Sequence, residues 1–544
     1  MKTRVPEFIV GTGTGRSVVM AEQGMVATAH PLATAAGLKV LMEGGNAVDA
    51  AIAAGAVTWV TMPMMCGPGG DAFFLIYCAK TGQVKAINGS GAVGRRATLD
   101  YLAARGYREQ MPQTGMLSAA IPGAVDAFQE AILRFGTRSW DYLLHDAIRY
   151  AEGHPVSPKT AEYFREARDK LAMFPSSARI YLAKGETPRT GDILRQPEYA
   201  ESMRRIARGG AREFYAGALG EIIGRAADVA GLFDTTELAA HRSAVYEPLR
   251  ISYRGLGVLS TAPPSQGMIH LEAQAVTGQF PLADLAPVDA QHVMIEAIKI
   301  ATADRLRWAG DPAYVDFPLG GLLSERYARK RAADIQMESC LPVNAAGDPL
   351  GDTTYLCVVD GEGNAVSLIH SLSNSFGTGE VIEGTGLFLN NRAGRGFVLE
   401  EGHPNCIAPG KRTMHTLNCY MVFKDGRPLL VGGTPGGDGQ PQWNLQVLAY
   451  FLDWGLNVQE ACEAPRWTLG PGTDPVNAGN PPTLALEGRF HPSVLAGLKA
   501  KGHPVREVAP WGGGGAVQLI HIDQEKGVLH GGSDPRADGC AMGY

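Results

Sequence analysis

The sequence predicts an α/β (α+β) protein with a large buried core, and three observations support this class. Hydrophobic residues make up 45% of the 544 residues and charged residues 19%, the latter below the usual roughly 25%. In the first half of the chain, apolar residues recur at helical spacing. After residue 353 they form short runs separated by turns, which is typical of β-hairpins.

The first half begins with two helices rich in alanine, leucine and valine, predicted at 31–42 and 47–60. Between them, Gly44-Gly45-Asn46 ends one helix and starts the next. Apolar runs at 73–78 and 84–87, separated by a glycine-containing turn, predict a β-hairpin.

Two amphipathic helices follow, at 124–134 and 141–152. The segment 342–351 is polar and contains Asn344, Gly347, Asp348 and Pro349. Such a composition predicts an exposed linker.

The second half is predicted to contain two further hairpins and a helix. The first hairpin pairs 355–360 with 365–371, and the second pairs 417–423 with 429–432. The residues Gly433-Thr434-Pro435-Gly436-Gly437 then lead into a helix at 442–452. Backbone N–H groups at such a corner can hold an anion or an oxyanion, although a plain strand-to-helix turn has the same composition.

The linker ends at Gly351-Asp352-Thr353-Thr354, directly before a strand. Adjacent threonines are common β-formers. A cut between Asp352 and Thr353 would, however, give Thr353 an α-amino group beside its own hydroxyl. This amine, with a pKa of roughly 7.7–8.0, can serve as a general base for the nucleophile.

Composition disfavours several other classes. The net charge of −6 and the lack of a dense Lys/Arg run give no support for nucleic-acid binding. None of the eight cysteines forms a Cys-x-x-Cys pair, so zinc or thioredoxin-like chemistry has no support, and we expect no metal and no cofactor.

We also expect no membrane span and a cytoplasmic protein. The most apolar segment, 47–62, contains Asp49 and stops at Pro63, which makes it too short for a transmembrane helix. Residues 1–16 have no apolar stretch of the kind found in secretory signals. Scattered cysteines in a long chain are typical of reduced, buried thiols.

Taken together, the motifs resemble the γ-glutamyltransferases of the N-terminal-nucleophile hydrolase superfamily across nearly the whole chain. The motifs, in order, are 25–34, Gly44-Gly45-Asn46-Ala47-Val48-Asp49-Ala50-Ala51, 360–367, Phe376-Gly377-Thr378-Gly379, Leu389-Asn390-Asn391, Pro409-Gly410-Lys411-Arg412, Pro435-Gly436-Gly437 and 532–544.

The resemblance implies a four-layer αββα sandwich and a precursor that cuts itself between Asp352 and Thr353. The products would be a large chain, 1–352, and a small chain, 353–544. They would stay together as a heterodimer, or as a dimer of such heterodimers, and act on a small-molecule amide.

The resemblance also implies roles for four residues. Thr353 would be the nucleophile, and Gly436 and Gly437 would form the oxyanion hole. Ser371 occupies the position of a family threonine that hydrogen-bonds the nucleophile, although an ordinary strand serine would look the same in sequence.

Several positions that bind the glutamyl group in the family differ here. Ser90 stands in place of an arginine that grips a carboxylate, and Ser373 replaces an asparagine. Arg392 replaces a glutamine, and Arg395 replaces an aspartate that pairs with the substrate ammonium. His415-Thr416 replaces a serine pair that binds carboxylate.

These differences predict an amidohydrolase for an acyl group that carries a carboxylate but no ammonium, since a cation at Arg395 would repel an ammonium. Arg392 or Arg395 would hold the carboxylate, unless both are solvated loop residues. His415 would orient the substrate, unless it is structural. Oxamate amidohydrolase and the glutaryl-cleaving cephalosporin acylases are family members of this kind. A γ-glutamyl hydrolase or transpeptidase acting on glutathione-type substrates and a catalytically silent member are the alternatives.

Overall fold

The computed structural model describes Ile9 and residues 15–342, 352–477 and 479–544. Its strands, in chain order, are β1 Val19–Ala21, β2 Gly24–Thr28, β3 Asp71–Cys78, β4 Gln83–Asn88, β5 His154–Pro155, β6 Ile193–Leu194, β7 Ala244–Tyr246, β8 Leu249–Tyr253, β9 Leu256–Ser260, β10 Asp352–Asp360, β11 Ala365–Ser373, β12 Val381–Ile382, β13 Leu387–Phe388, β14 Tyr420–Lys424, β15 Arg427–Gly433, β16 Trp467–Gly470, β17 Thr483–Glu487, β18 Val505–Val508, β19 Gln518–Asp523, β20 Val528–Ser533 and β21 Cys540–Gly543.

The helices are α1 Pro31–Met42, α2 Ala47–Thr61, α3 Leu99–Ala103, α4 Ala124–Phe135, α5 Trp140–Glu152, α6 Pro158–Glu166, α7 Arg168–Ala172, α8 Pro175–Tyr181, α9 Pro197–Ala216, α10 Ala218–Ala230, α11 Thr235–Ala239, α12 Gly267–Thr277, α13 Pro287–Trp308, α14 Leu319–Leu322, α15 Glu325–Ala332, α16 Arg392–Gly396, α17 Gly439–Leu452, α18 Val458–Glu463 and α19 Pro492–Ala500. Single 3-10 turns occur at Met116–Ser118, Leu282–Asp284 and Pro475–Asn477.

Two seven-stranded sheets form the centre of the described structure. One has the order β1-β20-β19-β15-β14-β9-β8, and the other has the order β21-β2-β10-β11-β3-β4-β7. In the second sheet β10 lies between β2 and β11, and all three run antiparallel to their neighbours. The strand that carries Thr353 is therefore central, with partners on both sides.

The two sheets pack face to face, and helices cover their outer faces. Phe73, Tyr355, Met421 and Ile520 belong to the core between the sheets. Residues of α1, α2, α4, α5 and α9 form a second core against the sheet that contains β10. Residues of α12, α13, α17 and α18 form a third core against the other sheet. The four-layer αββα arrangement is confirmed.

Local sequence explains why α2 starts where it does and lies inside the protein. The Asn46 side chain accepts hydrogen bonds from the N–H groups of Val48 and Asp49, and the Asp49 carboxylate accepts one from the Asn46 N–H. This reciprocal pair is a capping box. All 15 residues of α2 are buried, as expected for a helix that is apolar on every side.

The predicted helices and hairpins are present, with one strand boundary wrong. The second hairpin starts at Tyr420, so residues 417–419 are not strand. The reason is that side chains bind this backbone: Ser265 Oγ donates to the Leu417 carbonyl at 2.8 Å, and Gln440 Oε1 accepts from the Asn418 N–H at 3.0 Å. Of the predicted linker 342–351, residues 343–351 lie outside the described residues.

No helix in the described ranges is both long and apolar enough to cross a bilayer.

A buried polar cluster on α13 joins distant parts of the chain. Potential metal-ligating atoms of His292, Glu296 and His503 all lie within 4.8 Å of one another. His292 Nδ1 and His503 Nε2 are 2.8 Å apart, which is hydrogen-bonding distance. The Lys299 ammonium donates to Glu296 Oε1 at 2.7 Å. An internal cation therefore already balances the only carboxylate of this trio.

The same cluster holds the last described residues before position 343. Lys299 Nζ donates to the Leu341 carbonyl at 2.9 Å, and Glu296 Oε2 accepts from the Leu341 N–H at 2.7 Å. Near by, the Cys340 N–H donates to the carbonyl of Lys501 at 2.8 Å. Residues 340 and 341 are thus fixed to α13 on one side and to the C-terminal part of the chain on the other.

Candidate active site

Thr353 lies opposite a β-bulge at the start of β10. Asp352 pairs with Ser373 and Thr354 pairs with His370, so Thr353 faces two residues of β11, Ser371 and Leu372. Bulges change the direction of side chains and are common beside active sites. Here the bulge places the Ser371 hydroxyl against the Thr353 hydroxyl.

The two hydroxyls are hydrogen-bonded. Thr353 Oγ1 donates to Ser371 Oγ at 3.1 Å, and both residues are buried. Ser371 Oγ also accepts from the Ser373 N–H at 2.8 Å. The backbone of β11 thereby fixes the position of Ser371, and Ser371 orients Thr353.

Ser373 has an unusual backbone. Its φ is +88°, a region that costs a residue with a side chain on the order of 1–3 kcal/mol. Its hydroxyl is buried and has no hydrogen-bond partner among the described residues, and its carbonyl accepts from Arg395 Nη1 at 2.9 Å. The surrounding contacts thus hold Ser373 in a strained conformation beside the nucleophile.

The glycine corner lies between β15 and α17. Gly436 has φ +122° and Gly437 has φ +53°. A Cβ atom on Gly436 would lie 2.1 Å from Cζ3 of Trp443, so only glycine fits at this position. Within the described chain, the N–H groups of these two glycines make no hydrogen bond. They remain available to an incoming oxyanion.

Two separate cavities adjoin this region. The first, which we call the threonine cavity, has a volume of about 510 Å³ and is lined by Thr353, Gly436, Trp443, Met65 and Tyr163 among others. The second, which we call the arginine cavity, has a volume of about 390 Å³ and is lined by Arg305, Arg392, Arg395, Thr416 and Asp474 among others. The structure thus places the predicted nucleophile and most of the predicted substrate contacts on different cavities.

Arg392 forms a buried pair with Asp71. Its Nε donates to Asp71 Oδ2 at 3.2 Å and its Nη1 donates to Thr416 Oγ1 at 3.2 Å. Its Nη2 is buried and has no hydrogen-bond partner in the described part of the chain. Burial lowers the pKa of Arg392 to about 10 despite the attraction of Asp71, so this guanidinium stays charged at neutral pH.

Arg395 is held in the same way by Asp474. Its Nε donates to Asp474 Oδ2 at 2.7 Å, and it is 1% exposed. Burial raises the pKa of Asp474 to about 6, although Arg395 opposes this shift. Burial likewise raises the pKa of Asp71 to about 6 against the opposing effect of Arg392.

These pairs correct one sequence prediction and qualify another. The reading of Arg392 and Arg395 as solvated loop residues is wrong, because both are buried in ion pairs. The cation predicted at Arg395 is present, but Asp474 balances its charge. Asp71 is the first residue of a buried apolar strand, a placement that signals a partnered acid. Asp474 lies in a glycine- and proline-rich turn that gives no such signal.

His415 lies beside the buried pair of Arg392 and Asp71. Its Nε2 is 3.8 Å from Asp71 Oδ2, and neither ring nitrogen has a hydrogen-bond partner among the described residues. Burial, and then the nearby Arg392, hold the pKa of His415 well below its usual range. The ring is therefore neutral, and it packs edge-on against Phe73.

Ser90 is buried too, and an arginine from elsewhere reaches it. Its hydroxyl donates to Asn88 Oδ1 at 2.6 Å, and its carbonyl accepts from Arg412 Nε at 3.0 Å. An arginine side chain thus lies beside position 90, although it comes from position 412 and lines neither cavity.

Comparison with known proteins shows what this arrangement resembles. Residues 33–544 match the family model described as gamma-glutamyltranspeptidase. The glutathione hydrolase-like YwrD proenzyme of Bacillus subtilis is 37% identical over 535 residues, which cover 97% of this chain and 99% of that protein. The oxamate amidohydrolase proenzyme of Klebsiella pneumoniae is 35% identical over 534 residues, which cover 96% and 98%.

Among solved structures, the cephalosporin acylase from Bacillus halodurans has a TM-score of 0.90 to this chain and is 35% identical in sequence. The match covers 98% of this chain and 97% of the acylase. The likeness thus extends over the whole four-layer sandwich.

Proposed function

The chain belongs to the gamma-glutamyltranspeptidase family and is a self-processing acyl amidohydrolase; we propose that its substrates are amides whose acyl group carries a carboxylate and no ammonium. We further propose that Thr353 is the nucleophile, Ser371 its orienting partner, and Gly436 and Gly437 the oxyanion hole. Arg392 would bind the substrate carboxylate.

The observation that carries the proposal is the state of Arg392. Its Nη2 is a buried cationic donor without a partner among the described residues, in a side chain on the wall of the arginine cavity. A charge-assisted hydrogen bond to carboxylate would satisfy it. Of the two buried acids near by, Asp474 lines the cavity and is paired with Arg395. Asp71 is paired with Arg392 through Oδ2, and although its Oδ1 has no hydrogen-bond partner among the described residues, it does not line the cavity. A substrate ammonium in this cavity would therefore meet one buried carboxylate, Asp474, which Arg395 already pairs.

Self-processing begins with the bond between Asp352 and Thr353. The Thr353 hydroxyl attacks the Asp352 carbonyl carbon, and the acyl group moves from nitrogen to oxygen. Water then hydrolyses the resulting ester, which leaves a carboxylate on residue 352 and an α-amino group on Thr353. The products are the chains 1–352 and 353–544.

Turnover uses the same hydroxyl. The α-amine of Thr353 takes the hydroxyl proton while Oγ1 attacks the substrate amide carbon. The N–H groups of Gly436 and Gly437 stabilise the negative oxygen of the tetrahedral intermediate. The C–N bond breaks, the leaving amine receives the proton from the α-ammonium, and an acyl ester remains on Thr353. Water hydrolyses this ester and regenerates the hydroxyl.

A γ-glutamyl substrate is the second candidate, because two acids lie at the mouth of the arginine cavity. Glu109 and Glu400 line its opening and are exposed. A substrate ammonium that points toward the mouth would meet these carboxylates instead of Arg392. Exposed ion pairs contribute only about 0–1 kcal/mol, so the buried Arg392 contact favours the first candidate.

A panel of amides with one amine and different acyl groups tests the proposal. The glutaryl, γ-glutamyl and pentanoyl groups have the same five-carbon chain and differ only in charge, and an oxamyl amide supplies a shorter anionic acyl. We expect kcat/KM to be at least tenfold higher for the glutaryl amide than for the γ-glutamyl or pentanoyl amide. The reason is the hydrogen bond between the glutaryl carboxylate and Arg392, since hydrogen bonds to charged groups contribute about 1.5–3 kcal/mol. Equal or faster cleavage of the γ-glutamyl amide would contradict the proposal.

A charge-neutral double variant tests the role of Arg392. Arg392→Gln with Asp71→Asn removes both members of the pair, so that no buried charge is left alone. We expect the ratio of glutaryl to pentanoyl cleavage to fall at least tenfold. The matched control is Arg254→Gln with Asp453→Asn, a pair with Nε and Oδ1 2.9 Å apart that lies outside both cavities. An unchanged ratio in the first double variant would exclude Arg392 as the carboxylate site.

A further inference from the structure

The threonine cavity has no role yet in the proposed reaction, although the nucleophile is on its wall. We propose that this cavity receives the amine half of the substrate, and that the amine has a bulky, apolar and preferably aromatic body. This inference rests on the proposed function, because it takes the acyl carboxylate to lie in the arginine cavity.

The position of the nucleophile gives the direction of the substrate. Successive hydrogen bonds lead from Thr353 through Ser371 and Ser373 to Arg395 on the arginine cavity. On the other side, Asn374 and Ser375 line the threonine cavity. Residues 371–375 therefore lie between the two cavities. An amide that presents its carboxylate to the arginine cavity and its carbonyl carbon to Thr353 directs its nitrogen substituent into the threonine cavity.

The glycine corner supports the same orientation. Gly436 lines the threonine cavity, and its N–H makes no hydrogen bond within the described chain. The carbonyl oxygen of a bound amide would be held at this wall. The scissile C–N bond then lies at the edge of the threonine cavity and not deep in the arginine cavity.

The inner wall of the threonine cavity is apolar and polarisable. Met62 and Met65 supply thioethers, and Tyr163 and Trp443 supply aromatic rings. Met62, Met65 and Trp443 are each less than 9% exposed. Methionine sulfur and aromatic rings both make favourable contacts with an aromatic group. The wall chemistry thus suits an aromatic amine better than a polar one.

The outer wall carries charges of both signs. Lys159 and Glu166 are exposed, and Lys170, Arg536 and Asp538 are half-buried. A mixed rim of this kind gives no strong preference for a cationic or an anionic amine. Selectivity would therefore come from the apolar inner wall.

The volume separates two kinds of amide. A water molecule, which is close to ammonia in size, occupies about 30 Å³ in the liquid. The threonine cavity offers about 510 Å³, within the roughly 300–1,000 Å³ of small-molecule sites. An unsubstituted amide that releases ammonia would leave nearly all of this apolar space to water. An N-substituted amide with a ring would fill much of it.

The test compares a glutaryl benzylamide with a glutaryl methylamide, because both release an alkyl amine and share one acyl group. We expect kcat/KM to be at least tenfold higher for the benzylamide, mainly through a lower KM. Tyr163→Ala should reduce this benzyl-to-methyl ratio at least fivefold. Arg165→Ala, an exposed position on the same helix α6 that does not line the cavity, should leave the ratio unchanged. Equal kcat/KM for the two amides, or a ratio that Tyr163→Ala does not alter, would overturn the inference.

A binding measurement tests, independently of the acyl group, whether the threonine cavity prefers an aromatic amine. Calorimetric titration of the processed protein with benzylamine and with methylamine measures the amine site alone. We expect benzylamine to bind at least tenfold more tightly and to lose this advantage in Tyr163→Ala. Equal binding would overturn the inference even if the acyl panel supports the proposed function. Tight benzylamine binding without preference for glutaryl would instead contradict only the acyl assignment.

Discussion

The two cavities beside Thr353 differ in how their charges are arranged. In the threonine cavity, the groups at the reacting bond are the Thr353 hydroxyl and the glycine corner, neither of which carries a formal charge, and the charged residues of its wall, such as Lys159 and Glu166, are exposed at the rim. The arginine cavity contains three buried arginines, Arg305, Arg392 and Arg395, each paired with an aspartate. Hydroxyls and N–H groups suit bond cleavage, whereas paired charges suit recognition. The difference indicates that cleavage and substrate choice can be altered separately.

The largest effect should come from Thr353→Ala, since this change removes the atom that both self-processing and turnover require. We expect a single uncut chain of 57.7 kDa and activity at least about 10⁴-fold lower. Denaturing electrophoresis and an amide-cleavage assay measure the two effects. The matched control is Thr354→Ala at the neighbouring buried threonine, which should still be cut. Two fragments from the Thr353→Ala protein would rule out this nucleophile, and a single uncut wild-type chain would favour the silent-member alternative.

Gly436→Ala should have the next largest effect, because the added Cβ meets the Trp443 ring and displaces an N–H of the oxyanion hole. We expect kcat to fall about 10²–10³-fold, the usual cost of one lost donor. Gly426→Ala is the control: Gly426 also has a positive φ, +79°, and has no atom within 4 Å of an added Cβ. If the two variants retain equal activity, the corner is an ordinary turn.

Ser371→Ala should lower kcat by about 10–100-fold, because Thr353 Oγ1 loses its hydrogen-bond partner at 3.1 Å. Loss of one neutral hydrogen bond corresponds to about 0.5–1.5 kcal/mol, and the less precise position of the nucleophile adds to this cost. Ser371→Thr, which keeps the hydroxyl, should recover most of the rate. A Thr variant as slow as the Ala variant would show that packing, and not the hydroxyl, matters at this position.

The smallest effect concerns pH and the arginine cavity. Burial raises the pKa of Asp71 and Asp474 to about 6, so both take up protons between pH 7 and 5.5 while Arg392 stays charged. The cavity then becomes more positive as the pH falls. Inhibition by pentanoate should strengthen a few-fold relative to inhibition by neutral pentanamide over this range. A constant ratio would show that these carboxyls do not titrate there.

The sign of the stability change follows from the same shifts. Both aspartates have a folded-state pKa above their ordinary value of 3.8, so the folded state binds protons more readily than the unfolded state. Their contribution to stability is greatest at low pH and is lost as the pH rises through about 6. Acidification to pH 5.5 therefore should not reduce the melting temperature through these two groups.

The contact between Thr353 and Ser371 was easier to predict from sequence than the ion pairs of the arginine cavity. The reason is how far apart the partners lie along the chain. Thr353 and Ser371 are 18 residues apart in one hairpin, so the strand pattern alone brings them together. Arg392 and Asp71 are 321 residues apart, and Arg395 and Asp474 are 79 apart. No local pattern predicts such pairs, because their partners are set by the packing of separate layers.

The prediction of strand at 417–419 was wrong for a related reason. Its apolar composition predicts a strand, but the side chains of Ser265 and Gln440 bind its backbone from other elements. The two cavities were not predictable either, because their walls combine residues from both halves of the chain. Tyr163 and Trp443, which face the same space, are 280 positions apart by their residue numbers.

The polar cluster on α13 contacts residues on both sides of the proposed cut before Thr353. Pro342 and Thr353 are separated by the ten residues 343–352, a stretch that reaches at most about 33–36 Å when fully extended. Leu341, just before this stretch, is hydrogen-bonded to Glu296 and Lys299. His503, downstream of the cut, contacts His292 beside that anchor. After a cut between Asp352 and Thr353, this cluster would therefore remain a contact between the two products, because α13 and Leu341 belong to the large chain and His503 belongs to the small chain.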